Sequence, residues 1–224
     1  MSAFRIVVRV VRDPRGLLDD PDAGELARLA PPLFVLLVGS AVVIGLSIGS
    51  HHSAEQALYS GIKLPMVLLA GPLLAVPAVA AVGDALGLPT TSRRAAAAGL
   101  CAMTRVAVFA LAFMPVAWLF STVAQAYVVT ALTTSAHLAL AGCFGIGTLL
   151  AAFPDLRRAP LLTQLGIFAA TFLLFGGITA QVGWLLRPFI LMPDLEPALF
   201  QPPRSDVFTE LWGRLVRPDT YSSL

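Results

Sequence analysis

The chain predicts an all-α polytopic transmembrane helical bundle, and three observations carry that prediction. Of its 224 residues, 57% are hydrophobic and only 12% are charged, where a soluble domain carries roughly 25% charged residues. The mean hydropathy is +0.82. The apolar residues also fall in long runs, near or above the roughly 20 residues that a helix needs to cross a bilayer. The runs give about five spans, at 29–49, 64–82, 97–120, 127–153 and 161–186. A cytoplasmic amphipathic and acidic segment, 1–28, precedes the bundle at 29–187, and a Pro-rich tail, 188–224, follows it.

The first segment, FRIVVRVVRDPRG, places Arg5, Arg9 and Arg12 at i, i+4 and i+7, with Phe4, Val7, Val8 and Val11 on another face. That spacing describes a basic amphipathic helix lying along an anionic leaflet. A Val/Ile-rich β segment is the competing reading, and Pro14 ends either one. The acidic piece LLDDPDAGELARL then balances the arginines locally. The apolar stretch Ile6 to Val11 is too short for a secretory signal and no small-residue cleavage site follows it, so the first span is expected to stay in the mature chain.

In the first span Gly45 and Gly49 make a GxxxG, and Ala141 with Gly145 and Gly176 with Ala180 repeat the pattern in the fourth and fifth. Such faces let helix backbones approach in lipid. The second span opens after Lys63, ends at Asp84 and holds Pro65, Pro72 and Pro77. These prolines imply kinks, whose freed carbonyls either line a cavity or are absorbed by packing.

The third span is interrupted by Arg105, about 13 Å from its start at 1.5 Å per residue. If the helix begins near Ser92, Arg105 must snorkel or face a partner, with Asp84 the nearest counter-charge. Otherwise AAAAGLCAMT lies in the interface and only Val106 to Phe120 crosses. His137 sits near the middle of the fourth span. An ionisable group at that depth points to a function by default, and the structural alternative is a neutral imidazole bonded to Thr130, Thr134 or a neighbouring helix. In the fifth, Trp184 and Arg187 lie three apart and fit an interface anchor, with Pro188 ending the helix. The tail's prolines favour an extended path, followed by a short amphipathic helix near 205–217.

The connections are short, which forces antiparallel neighbours and one compact bundle. Nine arginines precede the first span or sit in the second and fourth loops, while the first and third loops carry only Lys63. The positive-inside rule then places the N-terminus in the cytoplasm and, with five spans, the C-terminus in the periplasm. Fourteen of the fifteen basic residues are Arg and the chain is rich in Ala and Pro, which fits a GC-rich bacterial genome and hence an inner membrane.

The sequence offers little chemistry. It shows no Ser/His/Asp arrangement, phosphate-binding glycine loop or carboxylate pair, so neither enzymatic activity nor a cofactor is expected. His51, His52 and Glu55 amount to part of a metal site, since adjacent histidines point apart on a helix or a strand, and a wet interfacial loop without metal is the expected reading. His137 lies too deep to join them as a haem ligand. Cys101 and Cys143 fall inside apolar runs as packing residues. The net charge of +2, scattered along the chain, sets nucleic acid aside as a partner.

Two stretches, GIKLPMVLLAGPLLAVP at Gly61 to Pro77 and GGITAQVGWLLRPF at Gly176 to Phe189, resemble a group of bacterial multispanning membrane proteins. The upstream VVRDPRGLL is similar to the entry segment of the Yip (Ypt-interacting-protein-like) membrane domain family, whose plan is five helices. The resemblance implies a non-enzymatic protein that acts through partners, with no catalytic residue to carry over; the long tail after Arg187 departs from that plan. The expected function is a structural or assembly subunit meeting other membrane proteins or itself. The alternative is a small-solute or ion permease with a pathway near Lys63, Arg105 and His137.

Overall fold

The computed structural model describes residues 3–19, 26–124, 127–186, 189 and 199. Arg187 and nearly all of the tail expected at 188–224, with its short helix, lie outside the described residues. Those described form seven α-helices and no strand: α1 (Ala3–Arg12), α2 (Pro14–Asp19), α3 (Leu26–Gly49), α4 (Ala54–Ala85), α5 (Ser92–Ala124), α6 (Tyr127–Leu149) and α7 (Leu161–Leu185). Two 3₁₀ turns, Leu150–Ala152 and Pro154–Arg158, join α6 to α7. The five helices α3 to α7 are long and apolar enough to cross a membrane.

Helices α4 and α5 form the middle of the bundle. Helix α3 packs on both, α6 packs on α5, and α7 packs on α4. One core runs through these contacts and includes Leu37, Ile44, Leu68, Val79, Met103 and Ile167. Helix α7 is the least enclosed, with Leu162, Leu165 and Phe172 on its open side. In a bilayer, leucine and phenylalanine need no protein cover, because lipid tails are as apolar as they are.

Several boundaries differ from the sequence expectation. The second span begins at Ala54 rather than 64, because Ser53 caps the helix by accepting from the Gln56 amide at 3.1 Å. Lys63 is therefore a residue of α4, not of the first loop, and it is completely buried. The third span is one continuous helix from Ser92 to Ala124, and AAAAGLCAMT belongs to it. Ala98, Cys101 and Ala102 sit in its packed face with no exposure. The fourth ends at Leu149 and finishes in the tighter 3₁₀ turns rather than running to 153.

The N-terminal segment is helical, and its buried face is Ile6 and Val10, with Val11, alone of the expected Phe4, Val7, Val8 and Val11, packed against that cluster. Ile6, Val10 and Leu17 are buried against Leu29, Leu33 and Cys101, while Phe4 is 76% exposed. Tertiary packing chose this face, since positions four apart meet the cleft between α3 and α5. The Asp13 side chain accepts from the Gly16 amide and Arg9 donates to the Gly16 carbonyl, which turns α1 into α2.

Candidate functional site

The backbone makes its closest approach where α3 meets α4. A Cβ added at Gly45 would lie 2.8 Å from the Gly61 Cα, and one at Gly49 would lie 2.6 Å from the Ala57 Cα. Both are inside van der Waals contact, so only glycine allows this crossing. On the same helix Gln56, Ser60 and Lys63 stand at i, i+4 and i+7, all fully buried. Ser60 Oγ donates to the Phe189 carbonyl at 2.9 Å, and the Lys63 ammonium lies 6.0 Å from the Phe189 ring centroid. The chain just beyond α7 thus returns onto the polar face of α4.

A second polar seam lies between α5 and α6. Thr130, Thr134, His137, Ala141, Gly145 and Thr148 share one face of α6 and are all buried. Gly145 admits the Val106 side chain and the Ala102 carbonyl of α5. The imidazole of His137 donates through Nε2 to the Ala110 carbonyl at 2.6 Å, five residues before Pro115, and its Nδ1 is buried without a partner. Arg105 donates from Nη1 to Thr148 Oγ1 at 2.8 Å and lies 5.5 Å over the Phe109 ring. Phe109 stacks on Phe144 of α6 with centroids 3.9 Å apart. Arg105 is therefore fed by a hydroxyl and a π face, and Asp84 does not serve as its counter-charge. The Asp84 carboxylate instead accepts from the Thr90 amide at 3.3 Å, in the loop between α4 and α5.

The third cluster is at the loop end of the bundle and centres on Arg94. Its guanidinium donates to the carbonyls of Ala151 at 3.1 Å and Ala152 at 3.0 Å, reaches the Leu18 carbonyl at 3.4 Å, and pairs with Asp19 at 2.6 Å. Thr90 Oγ1 also donates to Ala152 O at 2.9 Å. In the sequence Arg94 stands only as one of the loop charges. The signal was its place in the first turn of α5, where a helix dipole favours acids. A base there is better satisfied by the carbonyls that end another helix, and α6 ends beside it.

Lys63, Arg105 and His137 draw on separate neighbours. Thr148, which binds Arg105, and His137 are eleven residues apart on α6, about 16 Å along its axis. A cavity of about 320 Å³ opens elsewhere, at the loop end between Gly87, Leu88, Asp155, Arg158, Pro160 and Thr163. Of the small-residue faces, Gly45 with Gly49 and Ala141 with Gly145 meet neighbouring helices. Gly176 and Ala180 are exposed, and a Cβ at Gly176 would meet nothing within 4 Å, so the third expected packing face is not one among the described residues. Trp184 is half-buried near the end of α7. No group of three His, Cys, Asp or Glu side chains comes together among the described residues, and His51 and His52 lie in the turn between α3 and α4. Comparison of the chain with protein-family models, with curated proteins and with solved structures finds no match.

Proposed function

We propose that this integral membrane protein is a non-enzymatic structural or assembly subunit, a module that acts by holding other membrane proteins. One observation supports this reading: Arg105 and His137, the deep polar groups of the α5–α6 seam, do not converge but each bond a neighbouring helix, at two levels about 16 Å apart, and Lys63 is covered at the other side of α4. A permease needs such groups around one pathway. The resemblance to five-helix partner-binding proteins points the same way, and the reading includes a bacterial inner membrane with a cytoplasmic N-terminus, which the charge asymmetry of the loops supports. Extraction into native nanodiscs through a C-terminal tag, followed by sizing and mass spectrometry, tests the proposal. A stoichiometric partner supports it. A lone chain that carries solute flux in vesicles, with the flux lost in Arg105→Met and His137→Leu, would replace it with the permease.

A further inference from the structure

Arg105 is the polar residue whose surroundings leave most undone. Its Nε is buried without a hydrogen-bond partner, and among the described residues its guanidinium bonds Thr148 and lies over the Phe109 ring, with no carboxylate paired to it. Both ion pairs found among the described residues, Arg94 with Asp19 and Arg158 with Asp155, lie at the loop end. A guanidinium inside a bilayer is costly and pairs where it can, and a hydroxyl with a ring neutralises none of its charge.

The flank beside Arg105 is open. Residue 105 is half-buried; further along the same flank, Val116 of α5, about 16 Å on, is 58% exposed, and Leu140 of α6, about 12 Å from Thr148, is 51% exposed. Gly147 is exposed with nothing within 4 Å of where its Cβ would stand. Between these residues the Phe109, Phe113 and Phe144 rings make a partly covered apolar platform. Small residues beside bulky ones, with a charge at the edge, are what a neighbouring transmembrane helix packs against.

We infer that the α5–α6 flank around Arg105 binds a transmembrane helix of another protein, and that this helix presents an Asp or Glu to the Arg105 guanidinium. The inference rests on the assembly reading and names the partner's chemistry. Three arguments select this occupant. First, charge complementarity requires an anion at Arg105. Second, among the described residues of α3 to α7 a further copy offers only Glu55 and Asp84, of which Asp84, the one at this end of the bundle, already accepts from the Thr90 amide. Third, depth disfavours a lipid phosphate. Thr148 lies four residues before Ala152, so the Arg105 head sits about 6 Å deeper than the Arg94 head, which already marks the level of the loop carbonyls.

The test uses the full chain in nanodiscs of zwitterionic lipid and a fluorescent Leu/Ala transmembrane peptide carrying one Glu, placed one turn inside the end that aligns with the α6–α7 loop. The Glu peptide should associate by energy transfer, and its Leu counterpart at least roughly tenfold more weakly, the scale for removing one partner of a buried charge pair. Arg105→Met should abolish the difference between the peptides. Gly147→Leu keeps the charge, fills only open space, and should weaken both peptides. Equal association of the two peptides, or a Glu preference that survives Arg105→Met, overturns the inference. So does association that follows added anionic lipid rather than the peptide's Glu, which would assign Arg105 to a phosphate. In native nanodiscs, a stoichiometric partner that survives both Arg105→Met and Gly147→Leu overturns this site and leaves the assembly reading standing. A wild-type chain without any partner overturns the assembly reading and this inference together.

Discussion

The Nε of Arg94 donates to the carbonyl oxygen of Ala152 at 3.0 Å, so the first turn of α5 closes the end of α6. The same guanidinium holds Ala151, Leu18 and Asp19, which ties the N-terminal helices to the bundle. Carbonyls at a helix end have no partner within the helix, and a cation is the best donor for them. Arg94→Ala should therefore lower stability by about 2 kcal/mol, in the range for hydrogen bonds to a charged group. Arg94→Lys should recover only part, because one ammonium cannot span these acceptors. Thermal unfolding in nanodiscs measures both, and an unchanged midpoint for Arg94→Ala would show that the clamp contributes nothing.

The α3–α4 crossing makes a sharper prediction. Gly45→Val or Gly49→Val puts a branched side chain into the backbone of α4 and should cost about 3 kcal/mol or more. Gly176→Ala enters open space and should change stability by less than about 0.5 kcal/mol. The folded fraction on size exclusion separates them. Equal tolerance at Gly45 and Gly176 would contradict the crossing.

His137→Leu removes one bond between α5 and α6, and such bonds in membranes contribute on the order of 1 kcal/mol or less. The variant should fold and keep its assembly state. Loss of a cellular role with the fold intact would instead mark His137 as a working group.

Burial lowers the His51 pKa from its ordinary value near 6.5. The folded turn therefore favours neutral imidazole, and the unfolded chain binds the proton at the higher pH. Stability from this residue is fully present above about 6.5 and is lost as the pH falls through the lowered folded value. His51→Asn should flatten the acid side of the pH–stability profile, and an unchanged slope would assign that side to other groups.

The loops give a topological prediction. The segments around residues 13–19, 86–91 and 154–159 meet at one end of the bundle, since Arg94 and Thr90 bind Ala152 and Arg94 also binds Asp19. In a Cys101→Ala, Cys143→Ala background, single cysteines at Arg93 and Arg157 should react with an impermeant thiol reagent from one side, and a cysteine at His52 from the other. By the charge asymmetry, the first pair should face the cytoplasm. Labelling of Arg93→Cys and Arg157→Cys from opposite sides would break the arrangement.

Much of this architecture was legible because lipid imposes a simple rule on sequence. A crossing helix must be apolar for about 20 residues, so the five spans stand out in composition alone. Gly45 and Gly49 were legible too, since their spacing puts them on one face whatever helix they meet. Lys63 was misplaced for the same reason that the spans were found. Hydropathy marks where apolar residues begin, and Ser53 caps the helix eleven residues before the first leucine of the expected run, Leu64. Gly176 and Ala180 show the converse, because a small-residue spacing says that a face can accept a helix without saying that one is there.

The sequence by itself determined a helical membrane bundle of five spans with its basic loops gathered toward one end, because burial in lipid and charge in loops are local properties of the chain. Only the tertiary structure decided that Ile6 and Val10, rather than Phe4, face the bundle, that Arg94 closes α6, and that Arg105 meets Thr148 rather than Asp84. Those outcomes depend on which helices lie side by side. The same polar side chain is a loop charge, a clamp or an unneutralised cation according to the carbonyl, hydroxyl or open flank that the neighbouring helix brings to it.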